Sequence, residues 1–338
     1  MGRNRTVNLD LPGGMYLSKG TYYFINSDKK WIRLDKNKSS AIEKYYRLVT
    51  NTGDMSKMSS LFDRYMIDVS QKKSAASYQS DLTAMRQLRP VMAHMTPSDV
   101  TPLHIYQYID YRSKEAPVRV NREIALLSHI FTKGIRWGAA TTNPCRGVER
   151  NKEKPRKRYV TDNEFSAVRS ILPDWLKLYV DLKYATGMRQ SDLITLKCSI
   201  IKDEGLLIKP NKTLNSLQRE ILIEWTKELR AIVSAILILK LNFKDQHYLF
   251  VNRKGKPYTP GGFRSIWRRY MQKAIAAKII ETSFQERDIR AKTASDIGNL
   301  SAARLLLGHE SDKTTTKFYV RLPQKVTPLQ LPTAIGIE

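Results

Sequence analysis

The chain has 338 residues, of which 41% are hydrophobic and 9% aromatic. It is therefore long enough for two or three domains and apolar enough to bury real cores, which excludes a disordered basic tail. Its only cysteines are Cys145 and Cys198, and its five histidines are widely scattered, which excludes a disulfide framework and a zinc module. We expect a metal-free protein of a reducing compartment that needs no cofactor.

The charge balance is strongly basic, with 58 Lys and Arg residues against 32 Asp and Glu residues and a formal net charge of +26. Such a field attracts polyanions, and nucleic acid is the partner it favours. An anionic membrane is the alternative, since the MGRNRT start fits a short myristoylation pattern, although Arg3 and Arg5 also suit an arm that enters a DNA minor groove. The longest apolar stretch, residues 231–241, is about half a membrane span, and no apolar leader follows the N-terminus. We expect neither secretion nor membrane insertion.

The first block, residues 1–55, predicts a small three-stranded β-sheet followed by a helix. MYLS, TYYFIN and KWIRL are short β-prone runs, separated by turn signals at Lys19–Gly20 and at residues 27–29. The helix is predicted to open at Ser39 or Ser40, with Ser40 and Glu43 as a capping box. A sheet of this size needs a helix packed on one face, and the apolar positions of the helix have the spacing to supply it.

Residues 56–149 lack strand alternation and carry helical periodicity instead, so we predict an all-α domain. Prolines, among them Pro90, Pro102 and Pro117, are predicted to separate its helices. Four segments place apolar residues at i, i+3 or i+4 spacing: MSSLFDRYMIDV, SAASYQSDLTAMRQL, TPLHIYQYIDYR and PVRVNREIALLSHIFTKGIRWG.

A basic run at 150–158, with six Lys and Arg in nine residues, predicts an extended linker that lies along phosphates. Nuclear localisation is the alternative interpretation of such a run. Residues 159–338 follow, with a capping box at Thr161 and Glu164 and one clear hairpin formed by GLLIKP and REILIEW. This mixture of helices and a hairpin predicts an α+β domain.

The last block also carries the residues best suited to chemistry on a phosphodiester. In YATGMRQSDLITL, Gly187 is predicted to end a helix, Arg189 to emerge at the turn, and Asp192 to orient Arg189 from one helical turn away. The other candidates are Lys212 in the hairpin connection, Arg287 and Arg290 one helical turn apart in FQERDIRAKTASD, His309 in LLLGHES, and Tyr319 in TTTKFYVR.

This ordered set resembles the tyrosine recombinase family, the phage integrases, whose pattern is an arginine in TGxRxxE/D, a hairpin lysine, HxxR, LGH and a C-terminal tyrosine. Residues 1–50 look like the arm-site DNA-binding domain of lambda-type integrases, and residues 57–145 look like the family's helical core-binding domain. The resemblance implies a multidomain fold: an arm-site domain at 1–55, a core-binding domain at 56–149, a basic linker at 150–158, and a catalytic domain with a C-terminal tail at 159–338.

The resemblance also implies roles for the matching residues. Two guanidiniums, those of Arg189 and Arg290, would hold the extra negative charge of a five-coordinate phosphorus without a metal. Tyr319 would be the nucleophile and form a 3′-phosphotyrosyl link, Lys212 would protonate the leaving 5′ oxygen, and His309 would hydrogen-bond the transition state. The bond energy is kept in the link, so no nucleotide cofactor is needed.

Two features depart from the family pattern. Arg287 stands at the first position of HxxR, and an arginine is too basic to accept a proton from the tyrosine, so we expect it to line the phosphate site as a charge only. Tyr319 follows His309 by ten residues, where the family spacing is nine. The usual position falls on Phe318, which has no hydroxyl, so Tyr319 is the only local candidate.

The leading hypothesis is a site-specific integrase that inserts and excises phage DNA. A chromosome or plasmid resolvase of the same family is one alternative, although resolvases lack an arm-type domain. A DNA-binding protein with impaired catalysis is the other, suggested by Arg287 and the shifted tyrosine. The resemblance implies double-stranded DNA with arm and core attachment sites, a homotetramer on that DNA, a host DNA-bending protein, an excisionase, and a bacterial cytoplasm as the location.

Overall fold

The computed structural model of the protein describes residues 11–26, 29–50, 56–209, 220–241 and 247–322. Lys212, the leader with Arg3 and Arg5, and the C-terminal tail beyond residue 322 lie outside the described residues. The fold divides into two compact units, Met1–Glu153 and Lys154–Glu338. The division falls inside the basic run at 150–158, while the finer domain boundaries stay predictions.

The first unit begins with a three-stranded antiparallel sheet of β1 (Met15–Ser18), β2 (Thr21–Ile25) and β3 (Trp31–Arg33), ordered β1-β2-β3. Lys19 and Gly20 both have positive φ, 45° and 74°, so a two-residue turn joins β1 to β2 as predicted. The sheet packs on α1 (Lys38–Thr50) through a small core, which consists of Leu11, Met15, Leu34, Ala41 and Tyr45.

The predicted capping box of α1 is wrong. The helix begins at Lys38, and the Asn37 side chain caps it: its Oδ1 accepts from the Ser39 N–H at 2.9 Å and from the Ser40 N–H at 3.3 Å. An Asn side chain is as good a cap as Ser, and Asn37 stands one position before the helix while Ser40 already lies in its first turn.

Four helices follow, as predicted: α2 (Met58–Asp68), α3 (Ala75–Met92), α4 (Pro102–Ser113) and α5 (Pro117–Arg136). Pro102 and Pro117 each occupy the first turn of a helix, where a missing N–H costs nothing. Pro90, in contrast, does not end its helix, because α3 continues to Met92. Leu88 and Met92 on either side are buried, at 0% and 1% exposure, and this packing holds the last turn despite one lost hydrogen bond.

The second unit is a mixture of helices and one hairpin, which confirms the predicted α+β class. Its helices are α6 (Asp162–Ser170), α7 (Asp174–Thr186), α8 (Gln190–Leu193), α9 (Lys227–Lys240), α10 (Pro260–Ala276), α11 (Glu286–Asp296), α12 (Leu300–Leu307) and α13 (Asp312–Phe318). Strands β4 (Gly205–Ile208) and β5 (Ile221–Glu224) pair antiparallel, with Leu206 opposite Ile223. The predicted capping box of α6 is present, with Thr161 and Glu164 bonded reciprocally.

The core of this unit gathers side chains from most of its elements, including Leu176 and Tyr179 of α7, Leu206 of β4, Phe263 of α10 and Ile289 of α11. Helix α11 is therefore anchored on its apolar side, and it presents its polar side to the segments that carry the candidate residues. In the described ranges no helix is long and apolar enough to cross a membrane. The same ranges hold no group of three or more His, Cys, Asp or Glu side chains placed for a metal ion.

Candidate active site

The turn that carries Arg189 is built as the sequence predicts. Gly187 ends α7 in the left-handed conformation, with φ of 60°, and a Cβ added there would lie 2.6 Å from a methyl carbon of Leu307. Only glycine fits this combination of backbone angle and close contact. Arg189 then takes the position just before α8 and is half-buried.

The predicted ion pair between Arg189 and Asp192 is not formed among the described residues. Asp192 is 6% exposed, and its Oδ1 accepts from the Ser191 hydroxyl at 3.3 Å. In α8 the backbone N–H of Asp192 bonds to the carbonyl of Arg189 at 3.1 Å, which places the two residues in one turn without bringing their charged ends together. Arg189 thus keeps its guanidinium available.

Arg290 lies on α11 and is 5% exposed. Its Nη2 donates to the Leu307 carbonyl at 2.8 Å and its Nη1 donates to the Gly187 carbonyl. The Nε–H of Arg290 is buried and has no partner among the described atoms. Two backbone carbonyls from distant segments therefore fix the plane of this guanidinium, and its Nε–H is left without an acceptor.

His309 follows Gly308, which ends α12 in the left-handed conformation with φ of 63°. Its Nε2 lies 3.1 Å from Arg290 Nη2, and its Nδ1 lies 2.9 Å from the Thr315 hydroxyl. A guanidinium can only donate, so in this arrangement Nε2 accepts and Nδ1 carries the proton. Burial, followed by the charges of Arg290 and Arg189, lowers the pKa of His309 to about 4. The imidazole is therefore neutral at pH 7.

Tyr319 sits directly after α13, which ends at Phe318. Its ring centroid is 4.8 Å from that of His309 and 5.2 Å from Cζ of Arg290. The Tyr319 N–H bonds to the Thr315 carbonyl at 2.9 Å. Phe318, at the usual family spacing, is 48% exposed and its ring faces Lys317, 5.5 Å from Nζ, so the end of α13 turns Tyr319 and not Phe318 toward the arginine.

Two cations lie close together in this site. Burial is the main reason that the pKa of Arg290 falls to about 10, and the positive charge of Arg189 contributes to the lowering. The guanidinium remains protonated at neutral pH. Like charges held together in a partly buried place repel each other until an anion enters between them, so this arrangement is suited to a phosphate group.

The remaining predicted residues are Arg287 and Lys212. Arg287 lies in the first turn of α11, one turn before Arg290, and is exposed. Its side chain makes no hydrogen bond or ion pair with the described residues. Lys212 belongs to the connection between β4 and β5, outside the described residues. Both roles stay predictions.

Several residues that sequence reasoning did not single out support the cluster. Thr315 is fully buried and holds His309, while Lys183 and Glu286 form a buried ion pair of 2.7 Å beneath the Arg189 turn. One signal was available for Lys183, since Tyr179 and Thr186 lie at helical spacing from it and place a lysine on the apolar face of α7.

Two arginines of the basic run at 150–158 form ion pairs with carboxylates of the second unit. Arg156 Nε donates to both carboxylate oxygens of Asp288, at 3.1 and 2.9 Å, and Arg158 pairs with Glu164. Asp288 also accepts from Arg321 at 2.8 Å, just beyond the candidate nucleophile. At least two of the run's cations are thus paired with carboxylates, and one of these carboxylates ties the run to the segment after Tyr319.

Residues 159–325 match the model of the phage integrase family. This part of the chain, which carries the candidate site, belongs to that family. The integrases of Escherichia phage HK022 and Escherichia phage lambda are 27% and 26% identical to the chain over 240 residues. These alignments cover 63% of this chain and 66% of each relative, which is just under two thirds of the relatives' length. Tyrosine recombinase XerC of Bacillus pumilus is 30% identical over 153 residues, 42% of this chain and 48% of that one.

Solved structures show the same fold as this chain. A lambda integrase dimer bound to a COC′ core site matches with a TM-score of 0.66 at 20% identity, over 98% of this chain and 100% of that one. The Tn1549 transposon integrase in complex with circular intermediate DNA matches with a TM-score of 0.63 at 15% identity, over 79% and 96%. The predicted resemblance to lambda-type tyrosine recombinases and the multidomain fold are confirmed.

Proposed function

We propose that the protein is a site-specific DNA recombinase of the phage integrase type. It cuts and rejoins duplex DNA through a 3′-phosphotyrosyl intermediate, and so integrates and excises phage DNA. The observation that carries the proposal is the convergence of Arg290, His309 and Tyr319 from three separate elements around one buried guanidinium. Family membership and the phage and Xer relatives support site-specific recombination.

In this proposal the two arginines bind the scissile phosphate. Arg290 offers a guanidinium already oriented by the Gly187 and Leu307 carbonyls, so little reorganisation is needed when charge builds up on the phosphate oxygens. Arg189 supplies a second fork of donors. Tyr319 attacks phosphorus and its hydroxyl proton passes to solvent, while the bond to the 5′ oxygen breaks and that oxygen takes a proton from Lys212; the energy of the broken bond is kept in the new phosphotyrosyl ester.

His309 acts as a neutral group in this scheme. With the proton on Nδ1 it accepts from Arg290 through Nε2; to donate to a phosphate oxygen it needs the proton on Nε2. The Thr315 hydroxyl allows both forms, because a hydroxyl accepts from Nδ1–H in one and donates to Nδ1 in the other. The exchange keeps Nδ1 paired, while the Arg290 Nη2–H loses Nε2 as its acceptor and is left to bond the phosphate.

We assign Lys212 as the general acid that protonates the leaving 5′ oxygen, and Arg287 as an additional charge at the phosphate site. Both assignments rest on the family pattern. An exposed arginine one helical turn before Arg290 can add to the field at the phosphate without touching the reacting atoms. No nucleotide or metal is required for the steps described.

The DNA partner we propose is a duplex with separate arm and core attachment sites, on which four protomers assemble. The further partners we propose are a host DNA-bending protein and an excisionase, and the location is a bacterial cytoplasm. The net charge of +26 supports a polyanionic partner. Lambda integrase has been solved on a core site and as a tetramer bound to a Holliday junction. The N-terminal sheet with its helix supports the arm-type domain.

A resolvase of the same family is the second candidate, favoured by the XerC and XerD relatives. The first three strands and α1 favour the integrase instead, because a resolvase has no arm-site domain. A plasmid that carries two copies of one site separates the two. A resolvase converts it into two circles without an arm site, whereas the integrase needs an arm site and its accessory partners.

The test of the function is a search for a covalent protein–DNA adduct. Full-length protein is incubated with nicked duplexes from the DNA that flanks its gene, and the products are run on a denaturing gel beside the Tyr319→Phe variant. We expect an adduct with the wild type and none with the variant, while both retard the same DNA. Retardation without any adduct from the wild type would overturn the proposal in favour of a non-catalytic DNA-binding protein.

A further inference from the structure

A lysine is completely buried beneath the turn that presents Arg189. Lys183, in the last turn of α7, is 1% exposed, and its Nζ lies 2.7 Å from Glu286 Oε1 and donates to the Met188 carbonyl at 2.8 Å. Met188 is the residue before Arg189. The ammonium therefore contacts the backbone one peptide away from a proposed phosphate ligand.

Glu286 ties the same ammonium to the second arginine. It is the first residue of α11, one helical turn before Arg290, and it is 5% exposed. Tyr179, one turn before Lys183 on α7, donates its hydroxyl to Glu286 at 2.6 Å. Two donors from α7 thus hold the start of the helix that carries Arg290.

The two carbonyls of the turn are held by two different cations. The Gly187 carbonyl accepts from Arg290, and the next carbonyl, that of Met188, accepts from Lys183. Because Arg189 follows directly, its backbone is fixed relative to α11 by a direct bond from Arg290 and by the relay through Lys183 and Glu286. A shift of either contact changes the separation of the two guanidiniums.

Packing alone does not account for this pair. Taking a lysine and a glutamate out of water costs several kcal/mol for each ion, and apolar residues of similar volume are often as stabilising. Burial lowers the pKa of Lys183 while the adjacent Glu286 carboxylate raises it, so the charge of the lysine depends on its partner. Beyond packing, the pair supplies a fixed geometry, because an ammonium and a carboxylate form their hydrogen bonds at defined positions.

We propose that Lys183, through its pairing with Glu286, is a positioning residue that sets the distance and orientation between Arg189 and Arg290. The inference rests on the proposed function, since it concerns how the phosphate site is assembled. In this arrangement Lys183 touches neither the DNA nor the reacting atoms. Its loss therefore slows the chemical step without weakening DNA binding.

The experiment compares two substitutions in the full-length protein. Lys183→Met alone leaves a buried carboxylate without its partner and is expected to destabilise the fold. The double variant Lys183→Met/Glu286→Gln removes both charges, keeps the volumes and leaves an acceptor for Tyr179, so it is the variant that tests positioning. Lys292→Met is the matched control, because Lys292 is also 1% exposed and lies on α11, but its contacts are Tyr159, Asp162 and Asp296.

Two quantities are measured on a nicked duplex that the wild type retards: the dissociation constant, and the single-turnover rate constant for adduct formation at saturating protein. A misfolded fraction lowers the amplitude of the adduct but leaves the rate constant of the folded molecules unchanged. We expect the double variant to form adduct about tenfold to hundredfold more slowly, the range caused by small misplacements of binding groups, with a dissociation constant within about twofold of the wild type.

A double variant that reacts at the wild-type rate constant would overturn the inference and leave the proposed function intact. An equal loss in the Lys292→Met control would overturn it as well, because the effect would then belong to any buried lysine of this unit. Absence of adduct from the wild type, on DNA that it retards, would overturn the proposed function and this inference with it.

Discussion

The ring of Tyr319 lies against the guanidinium of Arg290, with 5.2 Å between the ring centroid and Cζ. A cation over an aromatic face is attracted by the ring, by about 0.5 to 2 kcal/mol depending on exposure. The proposed nucleophile therefore rests on the cation that would bind the phosphate it attacks. One chain holds both groups, so a protomer carries its own tyrosine beside its own arginine.

The position of the hydroxyl is expected to matter more than its presence in this segment. Phe318 is 48% exposed and Tyr319 is turned toward Arg290. The exchange variant Phe318→Tyr/Tyr319→Phe restores a tyrosine at the family spacing, yet we expect no covalent adduct, because its hydroxyl would face solvent. Phe318→Tyr alone is the control and should react like the wild type. Adduct formation by the exchange variant would show that α13 shifts its register on DNA.

Thr315 is expected to act on the chemical step through His309. Thr315→Val keeps the shape of the side chain but removes the only polar contact of His309 Nδ1 among the described residues, so the imidazole loses its fixed orientation. We expect single-turnover adduct formation to fall about fivefold, in line with the loss of one hydrogen bond worth about 1 kcal/mol. Thr315→Ser restores a hydroxyl and should recover most of the rate. Equal rates for the valine and serine variants would contradict the role.

The depressed pKa of His309 predicts how stability changes with pH. The folded value is about 4 and the ordinary value is 6.5, so between these pH values the unfolded chain binds a proton that the folded chain does not. The stability that His309 contributes is present above pH 6.5 and is lost as the pH falls toward 4. The free energy of unfolding, determined by urea unfolding at pH 7.5 and at pH 5, measures this contribution.

The control for this measurement is His309→Asn, which has no titrating group at that position. The wild type should lose about 1 to 2 kcal/mol more unfolding free energy than the variant over the same pH interval. Burial also lowers the pKa of His129, and its contribution is the same in both proteins and cancels in the comparison. The same loss in both proteins would mean that His309 is protonated in the folded state as readily as in the unfolded chain.

Arg287 is expected to contribute charge without contact. Arg287→Ala should slow adduct formation by about threefold to tenfold at low salt, and the effect should shrink as salt rises, because exposed charges are screened. Arg287→Lys keeps the charge and should retain most of the rate. Unchanged cleavage by the alanine variant across the salt range would remove Arg287 from the phosphate site.

The sequence by itself determined what short-range patterns control. Helical periodicity predicted α2 to α5. Gly187 predicted the end of a helix and Lys19–Gly20 predicted a turn. Two β-prone runs predicted the hairpin of β4 and β5. The arginine, histidine and tyrosine motifs named the family because residue type and order are visible in the chain. Local signals failed where two of them competed, as when Asn37 capped α1 in place of Ser40 or when core packing carried α3 past Pro90.

The tertiary structure alone decided which groups meet. Arg290 and the Gly187 carbonyl are 103 residues apart in the chain, and no spacing rule predicts that this carbonyl would orient Arg290. The choice of Tyr319 over Phe318 as the residue that faces Arg290 depends on the turn at the end of α13. The pairing of Lys183 with Glu286 likewise needs α7 packed on α11. Contacts between distant segments are set by the packing of whole helices and strands, and no local sequence pattern encodes that packing.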